Sequence, residues 1–256
     1  MVGYNITMDD KTIERIEEKY LITKQEKSAL LRSISKHLAR DEYFKEEVLS
    51  LYFDTKDYDL AVRSIDQPAF REKIRVRAYN VPKLSSKVFF EIKAKQKIGK
   101  RKISSKRRLI LPLKSFYKYQ SGKANLVELA SEFSHSDIQQ IQIAKELDYL
   151  YKYYQLQPKV VVSANRVAYV AKANPSFRLT FDEHLRFRTD KLRLEKGSTG
   201  EEYFKNTTDP KHDIIMEVKT MPTMPPWFVS ELSKLHIYPA RFSKYGKIYQ
   251  LIKERK

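Results

Sequence analysis

The stretch EKIRVRAY, residues Glu72 to Tyr79, alternates basic and apolar side chains: Lys73, Arg75 and Arg77 against Ile74, Val76 and Ala78. Successive side chains on a strand point to opposite faces, so this segment reads as a strand with one apolar and one cationic face. The same pattern recurs outward along the chain. In FFEIKAK, Phe90, Ile92 and Ala94 alternate with Glu91, Lys93 and Lys95. In FRLTFDE, Leu179 and Phe181 alternate with Arg178, Thr180 and Asp182, and in IIMEVKT Met216 and Val218 alternate with Glu217 and Lys219. An ordinary sheet carries Ser, Thr, Gln and mixed charges on its solvent side. Several strands that bring Lys or Arg to one face imply a large anion held against it, best matched by a chain of phosphates.

Composition agrees. The 256 residues hold 50 Lys plus Arg against 32 Asp plus Glu, a formal net charge of +18, which calls for a polyanionic partner. The length suits one domain, read here as spanning residues 1–256, with a substantial core. Cysteine is absent, which removes disulfides, thiolate metal sites and a thiol nucleophile and fits a cytoplasmic location. The first residues, MVGYNITMDDKT, lack a signal-peptide pattern, and no apolar run approaches the ~20 residues that span a bilayer. A membrane-bound partner remains compatible with the chain. The six glycines form neither G-x-x-x-x-G-K-[ST] nor G-x-G-x-x-G, so P-loop and Rossmann phosphate cradles are excluded.

Element signals run in hairpin-like order. Strands are expected at Ile13 to Ile22, Val48 to Asp54, Lys73 to Tyr79, FFEIKAK, Ser104 to Leu111, KVVVSANRVAYV, FRLTFDEHLRFR and DIIMEVKT. A helix follows the first strand, with Leu30, Leu31, Ile34 and Leu38 at helical spacing; a loop through Tyr58 and Pro68 follows Asp54. Gly99 suits a hairpin, Pro112 opens a helical middle reaching about Leu156, and WFVSELSKL reads as a helix after Pro225 and Pro226. The expected fold is α+β: an antiparallel β-barrel, closed, with helices packed outside. Inward-facing cations would make that barrel a tunnel, and its apolar outer faces would supply the surface that the helices cover.

Nine segments together resemble the VTC polyphosphate polymerase domain, a branch of the triphosphate tunnel metalloenzyme superfamily that also contains the CYTH phosphatases. They are R-x-E-x-K-Y (Arg15 to Tyr20), SLYFDT (Ser50 to Thr55), EKIRVRAY, FEIK (Phe90 to Lys93) and KRR (Lys106 to Arg108). Asn165-Arg166, FRLTFD (Phe177 to Asp182), MEVK (Met216 to Lys219) and FSKY (Phe242 to Tyr245) complete the series. Each is weak alone, and their shared order along the chain is specific. The resemblance, to a stand-alone member of bacterial type, implies a tunnel that binds triphosphate with Mn or Mg. It also implies transfer of the ATP γ-phosphate to a growing inorganic polyphosphate chain, with ATP and polyphosphate as the partners.

Carried over motif by motif, the resemblance assigns Lys19, Arg75, Arg77 and Lys219 to catalysis. It assigns Lys73, Lys93, Lys106, Arg108, Arg166, Arg178 and Lys244 to substrate phosphates, and Glu217, with Glu17 and Glu91, to the metal. Eukaryotic members carry one more basic residue before the R-x-R strand, for which Arg63 and Arg71 are both candidates here. The residue types suit phosphoryl transfer, which needs positioning and charge neutralisation more than covalent work from the protein. Arg makes bidentate phosphate contacts, Lys supplies a point charge, and a hard divalent cation wants carboxylate oxygens.

Other features read as structural. Lys95, Lys97, Lys100, Arg101 and Lys102 form a charge run at a solvated hairpin tip or an anion-attracting rim. His37, His135, His184, His212 and His236 show no paired spacing, YLYKYY (Tyr149 to Tyr154) suits core packing, and LEKGSTGEE suits a turn. Three classes remain: the ATP-dependent polymerase, a tripolyphosphate or nucleoside triphosphate hydrolase of the same architecture, and a non-catalytic polyphosphate-binding subunit. Lys19, Arg75, Arg77, Glu217 and Lys219 argue against the third. SLYFDT and FSKY, rather than the CYTH pattern E-x-E-x-K, argue against the second. Nucleic acid is the weakest partner, allowed by charge and supported by no motif.

Overall fold

The computed structural model describes residues 16–99, 101–221 and 223–255. Ile13 to Arg15 of the first expected strand, and with them the Arg of R-x-E-x-K-Y, lie outside the described residues, as does Lys100. The strands are β1 (Ile16–Ile22), β2 (Leu38–Asp54), β3 (Phe70–Tyr79), β4 (Lys87–Ile98), β5 (Arg101–Pro112), β6 (Gln157–Ala171), β7 (Arg178–Arg188), β8 (Glu201–Glu202) and β9 (Ile214–Thr220). The helices are α1 (Lys24–Ile34), α2 (Asp59–Asp66), α3 (Leu113–Gln120), α4 (Leu126–Phe133), α5 (Ile138–Tyr153), α6 (Pro226–Lys234) and α7 (Lys244–Glu254). All strand pairs are antiparallel, in the order β1-β9-β7-β6-β2-β3-β4-β5, with β8 on β7.

The α+β class and antiparallel sheet match the expectation; closure by hydrogen bonds does not. Among the described residues β1 and β5 are the two ends of the sheet and share no ladder. Edge β5 is strongly basic, with Lys106, Arg107 and Arg108, and charged edges disfavour further strand pairing. Side chains nevertheless reach between the ends: Lys93 Nζ of β4 donates to Glu17 Oε1 of β1 at 3.1 Å. The sheet therefore curls far enough for its two ends to face each other.

Strand parity sorts the sheet into an outer and an inner face. Outward Leu49, Leu51, Ile74, Val76, Phe90, Ile92, Leu109 and Leu111 are buried beneath Leu113, Phe116, Leu126, Ala130, Ala144 and Leu147 of α3, α4 and α5. Outward Tyr20, Ile22, Leu179, Phe181, Met216 and Val218 are buried beneath Leu30 and Ile34 of α1 and Phe228 and Leu232 of α6. At ~25 cal/mol per Å², this apolar burial holds the basic strands in register.

Two elements depart from expectation. Strand β2 is 17 residues long because its polar first half, through Arg40, Asp41 and Lys45, pairs with Val167 to Ala171 of β6 across an irregular register. Helix α2 forms where a loop is expected. Its flanking Tyr58 and Gln67 take left-handed φ of 65° and 53° without glycine, which hides both boundaries from a sequence reading. The Asp54 carboxylate accepts the Leu60 and Ala61 amides, so it satisfies the open end of α2.

Candidate functional site

The inner face has a charged part and an apolar part. The apolar part comprises Tyr52 of β2, Val160, Val162 and Ala164 of β6, Leu185 and Phe187 of β7, and Ile215 of β9. It packs against Phe242 and against Tyr245 and Ile248 of α7. Tyr245 stacks on Tyr52 with ring centroids 4.6 Å apart and donates its hydroxyl to Asp54 Oδ2 at 2.7 Å. Ser243 caps α7 by accepting the Gly246 amide, which fixes Lys244 at the start of the helix, facing the strands.

The charged part is built from every strand of the main sheet except β8, with β2 adding Glu46 opposite Arg166 as well as Ser50 and Tyr52, and from α7. On β3, Lys73 Nζ donates to Ser243 Oγ at 2.9 Å. Arg75 donates through Nε to Glu91 Oε2 at 2.8 Å and through Nη1 to the Tyr52 hydroxyl at 3.1 Å. Arg77 donates to Ser50 Oγ at 3.5 Å, its one hydrogen bond among the described residues, and lies over the Tyr79 ring at 5.9 Å. On β6, Arg166 grips Asp182 of β7 with two parallel hydrogen bonds of 2.7 Å, and Lys244 pairs with the same carboxylate. Lys19 of β1 donates to the Phe242 carbonyl at 3.2 Å, and Lys219 of β9 pairs with Glu217 two residues before it.

Cations outnumber carboxylates here. Glu17, Glu91, Asp182 and Glu217 are each already in an ion pair. Lys19, Lys73, Arg77, Lys106 and Arg108 have no carboxylate partner among the described residues. Uncompensated, partly desolvated positive charge is costly and favours capture of an anion.

The titration behaviour reports the same crowding. Burial pushes the Lys73 ammonium well below the usual lysine range, and Lys19, Lys93 and Arg75 push it further. Burial likewise lowers Lys244 and Lys93, against the opposing pull of Asp182 and Glu17. Burial raises the Glu217 carboxyl, but Lys219, Lys19 and Arg166 outweigh it and hold the group well below the carboxylate range. For Asp182 burial is again outweighed, by Arg166 and Lys244. Lys106 is lowered by burial, with Arg108, Arg77 and Lys219 adding to the effect against Glu91. Residues from β1, β3, β5, β6, β9 and α7 thus act on one another across a shared interior.

Most of the residues singled out in the sequence meet in this interior. Lys19, Lys73, Arg75, Arg77, Lys93, Arg166, Lys219 and Lys244 lie inside it, while Lys106 and Arg108 are exposed along edge β5. Arg178 shares the inner face beside Lys219, but its side chain is 45% exposed and its guanidinium pairs with Asp41, so it stands at the rim. Arg71 is the inward candidate for the extra basic residue by strand parity, whereas Arg63 lies on α2. The three glutamates do not form one group. Glu91 is held by Arg75, whereas burial and then the nearby Glu217 push Glu17 upward, although Lys93, Lys219 and Lys19 outweigh them and bring Glu17 below its ordinary value.

Asp182, Thr180, Tyr52 and Ser50 also face the interior, and the sequence reading passes over them. Thr180 lies directly across the β7–β9 ladder from Glu217, and its buried hydroxyl has no hydrogen-bond partner among the described residues. The signal was present: Thr180 and Asp182 share strand parity with Arg178.

The donor set suits one kind of metal. Among the described residues no cluster of three or more His, Cys, Asp or Glu is arranged to hold an ion. Two neighbouring carboxylates, Glu217 and Glu17, beside an unpartnered hydroxyl fit a hard divalent cation that completes its shell with phosphate oxygens and water.

A putative adenylate cyclase from Vibrio parahaemolyticus is 10% identical, with a TM-score of 0.42 over 92% of this chain and 97% of its own. The PH1819 protein from Pyrococcus horikoshii is 10% identical, with a TM-score of 0.44 over 95% of this chain and 100% of its own. No curated protein matches in sequence. The family model described as the VTC domain matches residues 14–253, a span that holds all of the interior cations, and the chain belongs to that family.

Proposed function

We propose that the curled sheet acts as a tunnel in which the γ-phosphate of ATP is transferred to a growing inorganic polyphosphate chain. The observation that carries this reading is the excess of inward cations over carboxylates, drawn from β1 at one end of the sequence to α7 at the other. Membership of the VTC family supports it. In this reading the tunnel is completed by side chains, through Lys93 and Glu17, rather than by a strand ladder.

Each residue then has a physical task. Arg77 and Arg75 bind equatorial phosphate oxygens from β3, with Glu91 and Tyr52 holding Arg75 in place. Arg166, Lys219, Lys19 and Lys244 neutralise the charge that shifts between attacking and leaving oxygens, where a water-poor site makes each contact strong. Lys73 and Lys93 hold more distant phosphates, and Lys106, Arg108 and Arg178 draw the polyanion in from the rim. Glu217 and Glu17 would hold Mn or Mg, which when bound supplies a further positive charge on the phosphate oxygens. The reaction partners are ATP and polyphosphate, in a cytoplasmic setting. Among the described residues no helix is long and apolar enough to cross a membrane.

One observation favours a second reading. The apolar packing beneath α7 fills one part of the interior, so a chain bound there leaves by the mouth through which it came. That geometry also suits hydrolysis of tripolyphosphate or a nucleoside triphosphate. Incubation with ATP and Mn, followed by electrophoresis stained for polyphosphate and an assay of free phosphate, separates the two. Polymer with stoichiometric ADP supports the polymerase, and free phosphate without polymer supports the hydrolase.

A further inference from the structure

The β4–β5 hairpin carries features that the interior does not use. From Ile92 through the hairpin to Val127 the sequence has twelve Lys or Arg and no Asp or Glu, and of these only Lys93, Lys106 and Arg108 belong to the site already described. The hairpin outruns its neighbour by a short step: β3 pairs with β4 as far as Phe70 with Gln96, with one further hydrogen bond from the Lys97 amide to the Ala69 carbonyl, whereas β4 and β5 continue to Ile98 with Arg101 and the turn beyond. Gly99 turns it with φ of 58°.

The helical cover of the outer face stops before this end. Its last contacts are Tyr154, which donates to Glu72, and Glu146, which accepts two hydrogen bonds from Arg107. Beyond them Phe70, Gln96 and Ile103 form one row across three strands, with Ile98 one step further along the same face. Phe70, Ile98 and Ile103 are 45%, 55% and 49% exposed. By register, Arg71, Lys95 and Lys97 fall on the opposite face. This end of the sheet, the β4–β5 hairpin with the start of β3 beside it, is thus amphipathic: Phe70 of β3 and Ile98 and Ile103 of the hairpin are uncovered on one side, and cations lie on the other.

We propose that this hairpin docks directly on an anionic lipid bilayer. A protruding end with apolar side chains enters the interfacial layer, while long Lys and Arg stems place their charges among lipid phosphates. The complement to an uninterrupted run of one charge sign is a surface of uniform negative charge. Acidic protein faces normally intersperse both signs. The proposal is independent of the reaction performed in the interior.

The test is flotation of the purified protein with vesicles of phosphatidylcholine alone or mixed with phosphatidylglycerol, at near-physiological salt. Binding is expected only to the anionic vesicles. Substituting Phe70, Ile98 and Ile103 together by Ser should weaken it by about tenfold or more with an unchanged thermal melt. Since loss alone could reflect misfolding, Ile98→Trp provides a gain of signal: its emission should shift to the blue on anionic vesicles, above the constant background of Trp227. Equal binding by the triple variant, or no shift in I98W, would overturn insertion and leave only charge-driven adhesion. Binding to polyglutamate but not to anionic vesicles would overturn the proposal and reassign the face to an acidic protein.

Discussion

The two parts of the interior are made by the same strands and behave oppositely. Strand β9 contributes Glu217 and Lys219 to one and Ile215 to the other; β1 contributes Lys19 and Leu21; β6 contributes Arg166 and Val162. In the apolar part, dispersion and burial are satisfied within the chain, with Tyr245 stacked on Tyr52 and hydrogen-bonded to Asp54. In the charged part Lys19, Lys73 and Arg77, with Lys106 and Arg108 at the edge, have no carboxylate partner among the described residues, so those residues alone do not satisfy it. The difference teaches where stability is stored and where it is given up for binding. Packing under α7 fixes the geometry that lets the neighbouring part remain unneutralised.

Substitutions should separate the two. The largest effect is expected at Asp182, 1% exposed and shared by Arg166 and Lys244. Asp182→Ala leaves two cations uncompensated and should cost about 3–5 kcal/mol in urea denaturation. Tripolyphosphate should then raise the melting temperature of the variant more than that of the parent chain. Next, Ile215→Ala should cost about 2–4 kcal/mol by the same measurement, with turnover at saturating ATP within about twofold of the parent. Arg77→Ala should do the reverse. Among the described residues its one hydrogen bond is a long one to Ser50, beside a loose contact with the Tyr79 ring, so stability should hold within about 1 kcal/mol while turnover falls about 100-fold, near 2.7 kcal/mol of transition-state stabilisation. A matching loss of stability would mean that Arg77 is structural.

Acid should weaken the charged part first. Glu217 and Asp182 ionise more readily folded than unfolded, so their contribution is complete above the ordinary carboxylate range near pH ~4 and is lost as pH falls below it. Glu217→Gln should flatten the acid limb of a stability–pH profile; an unchanged limb would place the charge elsewhere. The smallest effect is expected at Tyr245→Phe. It removes one donor to Asp54, which keeps three backbone amides, and should cost about 1 kcal/mol.

What the sequence made legible follows from period-2 alternation. EKIRVRAY and IIMEVKT showed both the strands and their charged faces, because a buried outer face forces strict parity. The helix over α7 was not singled out in RFSKYGKIYQLI, and neither was the apolar packing beneath it. Val160, Val162 and Ile215 are apolar on both strand faces and carry no sign of which way they point. Asp54 gave no hint of its role either, since its partners are the distant Tyr245 hydroxyl and backbone amides at and before a helix whose ends lack glycine. Open edges were equally hidden: alternation reveals a strand's faces and says nothing of what pairs with its sides.

The central claim is that the charged part of the interior holds a phosphate chain. A crystal structure with tripolyphosphate tests it most directly. The account predicts phosphate oxygens contacted together by Arg75, Arg77 and Lys219, with density ending at the apolar packing beneath α7. Tripolyphosphate bound instead along the exposed lysines of the β4–β5 hairpin, with those three side chains untouched, would contradict it.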